Sequence, residues 1–277
     1  MANGRLSIAF IGFGEAGQAI AAGLNDANAA QITAWDILFP EAAGKSLLRA
    51  ADAIGVRRAV SAADAVQGAE IVISAVTAAS SLDAARSVQE NLRGEPFFLD
   101  INSVSPGRKQ ESAKVLGAAA RYIDVAVLAP ILAALGMRAD VAGVEVGAAA
   151  AIKMVRSVMI KGIEALTLEC FLAAARAGVI DEVAVSMRNN YPGLDWTKIV
   201  PYNLERMAVH GERRAAEMEE VADTLRELGV KPLMTNATVK RQREMGQIGQ
   251  QPTVRNALDK DRAAMLRAIS AVARDRH

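Results

Sequence analysis

The chain has 277 residues, 52% of them hydrophobic but only 4% aromatic, and a formal net charge of +1. That length suggests one large domain or two ordinary ones, with a core built mainly of Ala, Val, Ile and Leu. Near-neutral charge gives no electrostatic case for nucleic acid or an anionic membrane as partner; a single cysteine excludes an intrachain disulfide framework; and the two histidines lack the Cys/His spacing of a zinc site.

The first predicted strand is Leu6–Ile11, an apolar run rich in Ile and Phe. Gly12-Phe13-Gly14-Glu15-Ala16-Gly17 follows at once, and Gln18 to Leu24 has helical spacing. Strand, glycine turn and helix in that order are the context of a dinucleotide site. Gly12 permits the tight turn, Gly14 lets the backbone approach a pyrophosphate, and Gly17 lets the helix pack on the strand. The phosphates would sit on N–H groups at the positive helix end. The second predicted strand, Ile32–Asp36, ends in an acid about 20 residues past the turn, where such sites place a carboxylate on the adenosine ribose.

Further strands are expected at Val56–Ala59, Glu70–Val76, Phe97–Ile101, Tyr122–Val127 and Val141–Val146, most of them separated by helical stretches. This alternation argues for a parallel sheet covered by helices on both faces. The nearly all-apolar run Ile71 to Val76 suits a strand buried on both sides. The longest apolar run, Val125 to Met137, is broken by Pro130 and is too short to span a bilayer. The first strand starts too early for a signal peptide, so a cytoplasmic protein is expected.

From about Ala148 strand-like runs stop. Ala148 to Ala177 reads as one long helix, apolar on most faces and closed by Gly178. Cys170 lies in it and is expected to be a buried, inert thiol. After a loop at Asn189 to Trp196, a second long helix is expected from about Tyr202 to Leu228. Its buried stripe includes Leu204, Met207, Gly211, Ala215 and Met218, and Gly229 ends it. The expected fold class is α/β: a Rossmann-type doubly wound parallel sheet, followed by an all-helical C-terminal domain. Residues 1–147 would bind the dinucleotide. Residues 148–277 would form the substrate and dimerisation domain.

Lys153 opens the long helix, and Arg156, Ser157, Lys161 and Glu164 share a broad face with it. Buried ionisable groups are costly unless paired. One account is a structural ion network, with Glu164 pairing Lys161 at the i, i+3 spacing. The other places Lys153 at the cofactor crevice, its ammonium disfavoured by desolvation and by Arg156, to shuttle the proton of a substrate alcohol. Spacing alone leaves both open.

The segment from Gly147 through Lys153-Met-Val-Arg-Ser157 resembles the catalytic-lysine segment of the β-hydroxyacid dehydrogenases, which include 6-phosphogluconate and 3-hydroxyisobutyrate dehydrogenases. The glycine motif, Ile73-Ser-Ala-Val76, Asp100-Ile-Asn-Ser-Val-Ser-Pro106 and Asp124-Val-Ala-Val127 resemble further motifs of that family. About Tyr191 to Gly246 is similar to the C-terminal domain of phosphogluconate-dehydrogenase-like members of uncharacterised function. The resemblance implies an NAD(P)-dependent oxidoreductase. It would move a hydride between nicotinamide and the hydroxyl-bearing carbon of a small β-hydroxy acid or related alcohol. Lys153 would be the general acid/base. Ser103, Asn102, Arg156, Ser157 and Leu128 would surround the substrate. The glycine turn, Asp36, Val76 and Thr77 would hold the cofactor, and the helical domain would build a homodimer.

Two departures bear on the substrate. The family usually has Ser-Gly-Gly where this chain has Leu128-Ala-Pro130, and an Asn where it has Ser157. Either Arg156 supplies the carboxylate grip, since guanidinium suits carboxylates, or the substrate is less acidic. An imine or ketone reductase on the same fold is an alternative, as is a non-catalytic dinucleotide-binding protein. Asp36 favours NAD, because a carboxylate accepts from the 2′-hydroxyl and repels a 2′-phosphate. NADP stays possible through Arg57 and Arg58, which otherwise read as a solvated loop.

Overall fold

The computed structural model describes residues 6–26, 30–125, 145–258 and 261–274. The chain divides into two compact units, Met1–Lys153 and Met154–His277. The division falls within a helix that starts at Ala148, the residue where the second domain was expected to begin. Leu128 lies outside the described residues, as do the end of the expected strand Tyr122–Val127 and most of Val141–Val146. Glu145 and Val146 themselves lie in a bend and a turn.

The first unit is built on six parallel strands: β1 (Leu6–Ile11), β2 (Ala30–Trp35), β3 (Arg57–Arg58), β4 (Ile71–Ser74), β5 (Phe97–Asp100) and β6 (Arg121–Asp124). Their order is β3-β2-β1-β4-β5-β6, that of a doubly wound dinucleotide-binding sheet, with the reversal between β1 and β4. Between the strands run α1 (Glu15–Asp26), α2 (Lys45–Ile54), α3 (Ala62–Ala65), α4 (Ser81–Gln89) and α5 (Pro106–Leu116). The pleat sends successive side chains to opposite faces. Ile8 and Phe10 of β1 therefore join Ala21 and Leu24 of α1 and Ala51 of α2. Ala9 and Ile11 join Ala65 of α3 and Ala85 and Val88 of α4 on the other side. A strand buried on both faces cannot alternate in polarity, which is why β1 and β4 read as unbroken apolar runs.

The helical unit contains most of α6 (Ala148–Ala177), then α7 (Ile180–Asn190), α8 (Trp196–Glu227), α9 (Leu233–Gly249), α10 (Pro252–Arg255) and α11 (Arg262–Arg274). Its core gathers Phe171, Trp196, Leu204, Met207, Met245 and Ile269. α8 and α9 pack at very short range. A Cβ on Gly211 would stand 2.3 Å from the Gln242 carbonyl oxygen, so the stripe expected on α8 contains a glycine because the next helix passes over it.

Two expectations change. α8 begins at Trp196, not Tyr202, because Asp195 caps it by accepting the Thr197 N–H at 3.1 Å. Pro201 sits inside the helix and does not bound it; buried Trp196 and Val200 anchor the turn before it. Cys170 is exposed. Leu168, Phe171 and Ala174 take the buried face of α6, and Cys170 falls beside Glu169 and Ala173 on the other. Among the described residues, no helix is long and apolar enough to cross a membrane.

Candidate active site

The glycine turn is fixed by contacts only glycine permits. Gly12 has φ +90°, and a Cβ there would stand 2.4 Å from the Ala75 carbonyl oxygen. Its N–H donates to the Trp35 carbonyl at 2.8 Å. A Cβ on Gly14, by contrast, would meet no protein atom within 4 Å, so the turn presents bare backbone outward, which fits a pyrophosphate lying against it. α1 starts at once, with Gly14 accepting the Gln18 N–H at 3.0 Å. The N–H groups of its first turn, at exposed Glu15 and Ala16 and at Gly17, have no intrahelical acceptor.

Phe13 and Asp36 are bonded to each other. The Phe13 ring is fully buried and stacks edge-on with Phe10 and Phe39. Its N–H donates to Asp36 Oδ2 at 2.8 Å. Asp36 Oδ1 accepts the Leu38 N–H at 2.9 Å. The carboxylate thus ties the end of β2 to the glycine turn, and each oxygen keeps a lone pair for a further donor. Arg57 pairs with Asp64 at 3.1 Å, and Arg58 pairs with Asp52 at 3.1 Å.

The carboxyl ends of β4 and β5 are joined by Asn102. Its Oδ1 accepts the Val76 N–H at 2.7 Å, and its Nδ2 donates to Ser74 Oγ at 2.9 Å. Asn102, expected beside the substrate, is buried, and each end of its amide makes one of these bonds to the strand ends. Thr77 is exposed, its hydroxyl 3.1 Å from that of Ser80. Next to Asn102, Ser103 Oγ accepts a hydrogen bond from Lys153 Nζ at 2.5 Å. The candidate acid/base and the candidate substrate-binding hydroxyl therefore meet, although fifty residues separate them.

Arg156 and Ser157 belong to the helical unit. Arg156 is exposed, while Ser157 is buried and accepts from Lys161 Nζ at 3.3 Å. The ion network expected here exists with other partners. Lys161 pairs with Glu217 of α8 at 3.1 Å. Glu164 is gripped by both ends of the Arg214 guanidinium and by Gln242 Nε2 at 2.9 Å. Both side chains are buried, and buried charges take the partner that the facing helix supplies.

A second buried group escaped the sequence reading. Lys109, 1% exposed, lies with Nζ 3.0 Å from Asp100 Oδ1 and 3.2 Å from Asp124 Oδ1. Tyr122 donates its hydroxyl to Asp100 Oδ2 at 2.7 Å. Burial, then the charge of Asp100, pushes the Tyr122 phenol far above its ordinary range. Asp124 Oδ2 accepts the N–H groups of Gly147 and Ala150 at 3.2 and 3.1 Å, capping α6. The sequence carries no local signal for it, because the pairing depends on a register that sets Asp100 opposite Asp124.

Fold and site together define a dinucleotide-binding oxidoreductase domain followed by a helical domain. Residues 7–103 match the family described as NADP oxidoreductase, coenzyme F420-dependent, and residues 174–245 match a domain of unknown function, DUF1932. A conserved hypothetical protein from Sinorhizobium meliloti is 32% identical over 97% of each chain, with a TM-score of 0.73. A conserved protein of unknown function, whose structure is described as similar to 3-hydroxyacid dehydrogenases, is 28% identical over 87% of this chain and 97% of its own, with a TM-score of 0.68. The Mycobacterium tuberculosis 3-hydroxyisobutyrate dehydrogenase, solved with L-serine, shares the fold at 17% identity, over 97% of this chain and 99% of its own, with a TM-score of 0.69. The chain belongs to the family of the Sinorhizobium meliloti protein, which it matches over nearly its whole length; it joins an NADP-oxidoreductase N-terminal domain to a DUF1932 domain and has the fold of 3-hydroxyisobutyrate dehydrogenases.

Proposed function

We propose that the protein is a nicotinamide-dependent dehydrogenase acting on the hydroxyl-bearing carbon of a small β-hydroxy acid or related alcohol. The observation that carries this reading is the Lys153 Nζ to Ser103 Oγ hydrogen bond of 2.5 Å, set beside the strand ends where an open α/β sheet holds its ligands. The bound dinucleotide supplies the hydride chemistry. Gly12, Gly14 and the first turn of α1 hold its phosphates, Asp36 takes the adenosine ribose, and Val76 and Thr77 flank the nicotinamide end. Lys153 holds the substrate hydroxyl proton on oxidation or returns it on reduction. Ser103 orients that lysine and the substrate oxygen. Arg156 offers the cation for an acidic group on the substrate.

Asp36 supports NAD as the cofactor. Arg57 and Arg58 already face Asp64 and Asp52, which weakens either as the grip for a 2′-phosphate. Because the N-terminal family is described by NADP, both nucleotides enter the test. The purified protein is incubated with NAD or NADP and a panel of hydroxy acids and β-hydroxy alcohols, with Lys153→Met alongside. Turnover that falls at least about a hundredfold in the variant, with reduced nucleotide still bound, supports the reading. Turnover retained in Lys153→Met removes Lys153 from the chemistry. Tight nucleotide binding with no turnover on any alcohol shifts the reading to imine or ketone reduction.

We also propose that two copies pair through α6 and α9. Met159, Leu166 and Met234 are all more than half exposed and line a cavity of about 570 Å³ whose rim carries Lys240, Arg241, Glu169 and Glu244. An apolar surface that also carries both charge signs, with Arg241 already paired to Glu169 and Glu244, suits the apolar centre of a two-fold interface.

A further inference from the structure

Asp100 and Asp124 end β5 and β6, and the parallel register places them directly opposite each other. Their side chains are buried, at 1% and 5% exposure. Two carboxylates so placed repel, and burial penalises each charge separately. Lys109 resolves this from α5. Its ammonium donates to Asp100 Oδ1 at 3.0 Å and to the Asp100 carbonyl at 2.7 Å, and it stands 3.2 Å from Asp124 Oδ1 as an ion pair without a hydrogen bond.

Both carboxylates also bond backbone that leads to the proposed site. Asp100 Oδ1 also accepts the Asn102 N–H at 2.9 Å. Asn102 in turn holds Val76 and Ser74, and Ser103 follows it in the chain. Asp124 Oδ2 accepts Gly147 and Ala150 at the start of α6, and Lys153 comes one turn later. One buried ammonium therefore links the turn that carries Ser103 to the helix start that carries Lys153.

We propose that Lys109 is a positioning residue for the Lys153–Ser103 pair, its ammonium holding the Asp100 turn and the Asp124-capped start of α6 in one frame. Lys109 itself touches neither substrate nor nucleotide. The catalytic consequence rests on the assignment of Lys153 as acid/base; the frame does not.

Charge neutralisation alone is the rival account, and the double variant Lys109→Met/Asp124→Asn separates the two. It keeps the local charge balance and removes the bridge. Lys109→Arg keeps the charge and alters its reach, and serves where the double variant does not fold. The first readout is trace acetylation of the whole protein by acetic anhydride. Lys153 labelling is read by peptide mass spectrometry against exposed Lys231. The second is amide hydrogen exchange over 147–151 and 101–103, with β1 and β2 as internal reference. In the double variant, Lys153 labelling rises at least about threefold as its bond to Ser103 loosens. Exchange rises in both segments together, and the β1 and β2 amides keep their protection. Labelling and exchange unchanged from wild type in the variants that fold overturn the proposal. So does a rise in exchange spread evenly over the sheet.

Turnover separates this inference from the one beneath it. If both stand, kcat in the double variant falls about tenfold or more while nucleotide affinity holds, because displacement of a reacting group by an ångström is costly. If Lys153→Met still turns over while Lys153 labelling responds to Lys109, the acid/base assignment fails and the positioning role stands. If Lys153→Met is dead while the double variant matches wild type in labelling, exchange and rate, the positioning role fails alone.

Discussion

Asp36 accepts the Phe13 N–H at 2.8 Å and so binds the end of β2 to the turn that follows β1. The same carboxylate accepts Leu38 at 2.9 Å. Its first task is to hold the glycine turn in shape, and a ribose hydroxyl would be a further donor to oxygens already in use.

Asp36→Ala is therefore expected to weaken both nucleotides. A hydrogen bond to a charged group contributes about 1.5–3 kcal/mol net, and water will replace part of that here. Affinity for both NADH and NADPH should fall about tenfold through the loosened turn. NADH should lose more, through the ribose, so the gap between the two narrows. Fluorescence titration of each nucleotide checks this. Equal losses would assign Asp36 to the turn alone, and unchanged affinities would remove it from the site.

Tyr122 gives a pH prediction. Its folded-state pKa is raised above the ordinary 10.0 by burial and by Asp100, so the folded chain keeps a proton that the unfolded chain releases. The stabilisation is fully present below about pH 10 and is lost as pH rises past it, by about 1.4 kcal/mol per unit for one proton. Tyr122→Phe has no such proton. Urea unfolding between about pH 9 and 11 should show the advantage of wild type over the variant shrinking by about 1.4 kcal/mol in all, most of it above pH 10. A difference independent of pH would show that the phenol ionises in the folded protein.

What the sequence made legible was local or periodic. The glycine turn, Asp36 and the doubly wound sheet follow from a strand, a turn and a helix in succession, and β1 matches its predicted span. Lys153 stood out in the polar stripe of its helix, with a structural account equally open, and Ser103 was legible only through a family resemblance; nothing in their spacing says that they meet. The buried partners were harder still. Glu164 has Lys161 within reach along its own helix, yet pairs with Arg214 of α8, because the choice is made by the facing surface. Lys109 follows Ser105-Pro106 on a short helix and reads as solvated. Its burial becomes visible only once β5 and β6 are placed side by side with Asp100 opposite Asp124. Cys170 failed for the complementary reason: an apolar helix does not say which of its faces is covered.

The Glu164–Arg214 pair should behave as a coupled unit. Glu164 is 2% exposed and Arg214 4%, so removing one partner leaves a buried charge without its counterion. Glu164→Ala is expected to cost about 3–5 kcal/mol, and Glu164→Met/Arg214→Met to recover much of it. Chemical denaturation of Glu164→Met, Arg214→Met and the double variant, beside Glu164→Ala, measures the coupling. Additive losses would mean that each group is satisfied independently, with Gln242 and Arg206 enough for Glu164.

The proposed pairing of two copies predicts its own disruption. Met159 and Leu166 stand two turns apart on one face of α6 and are 63% and 60% exposed. With Met234 of α9 they line one cavity, and an exposed apolar patch of that kind marks an interaction surface. A carboxylate placed there would be desolvated in the interface without a partner, which costs several kcal/mol. Met159→Glu should therefore convert a dimer to a monomer in multi-angle light scattering while leaving the dinucleotide affinity of the N-terminal unit in place. Glu169→Lys, at the rim, should weaken pairing only slightly and more at low salt, because rim charges are screened. A wild-type monomer at all accessible concentrations, or a dimer that survives Met159→Glu, would show that this face of α6 serves something other than a second copy.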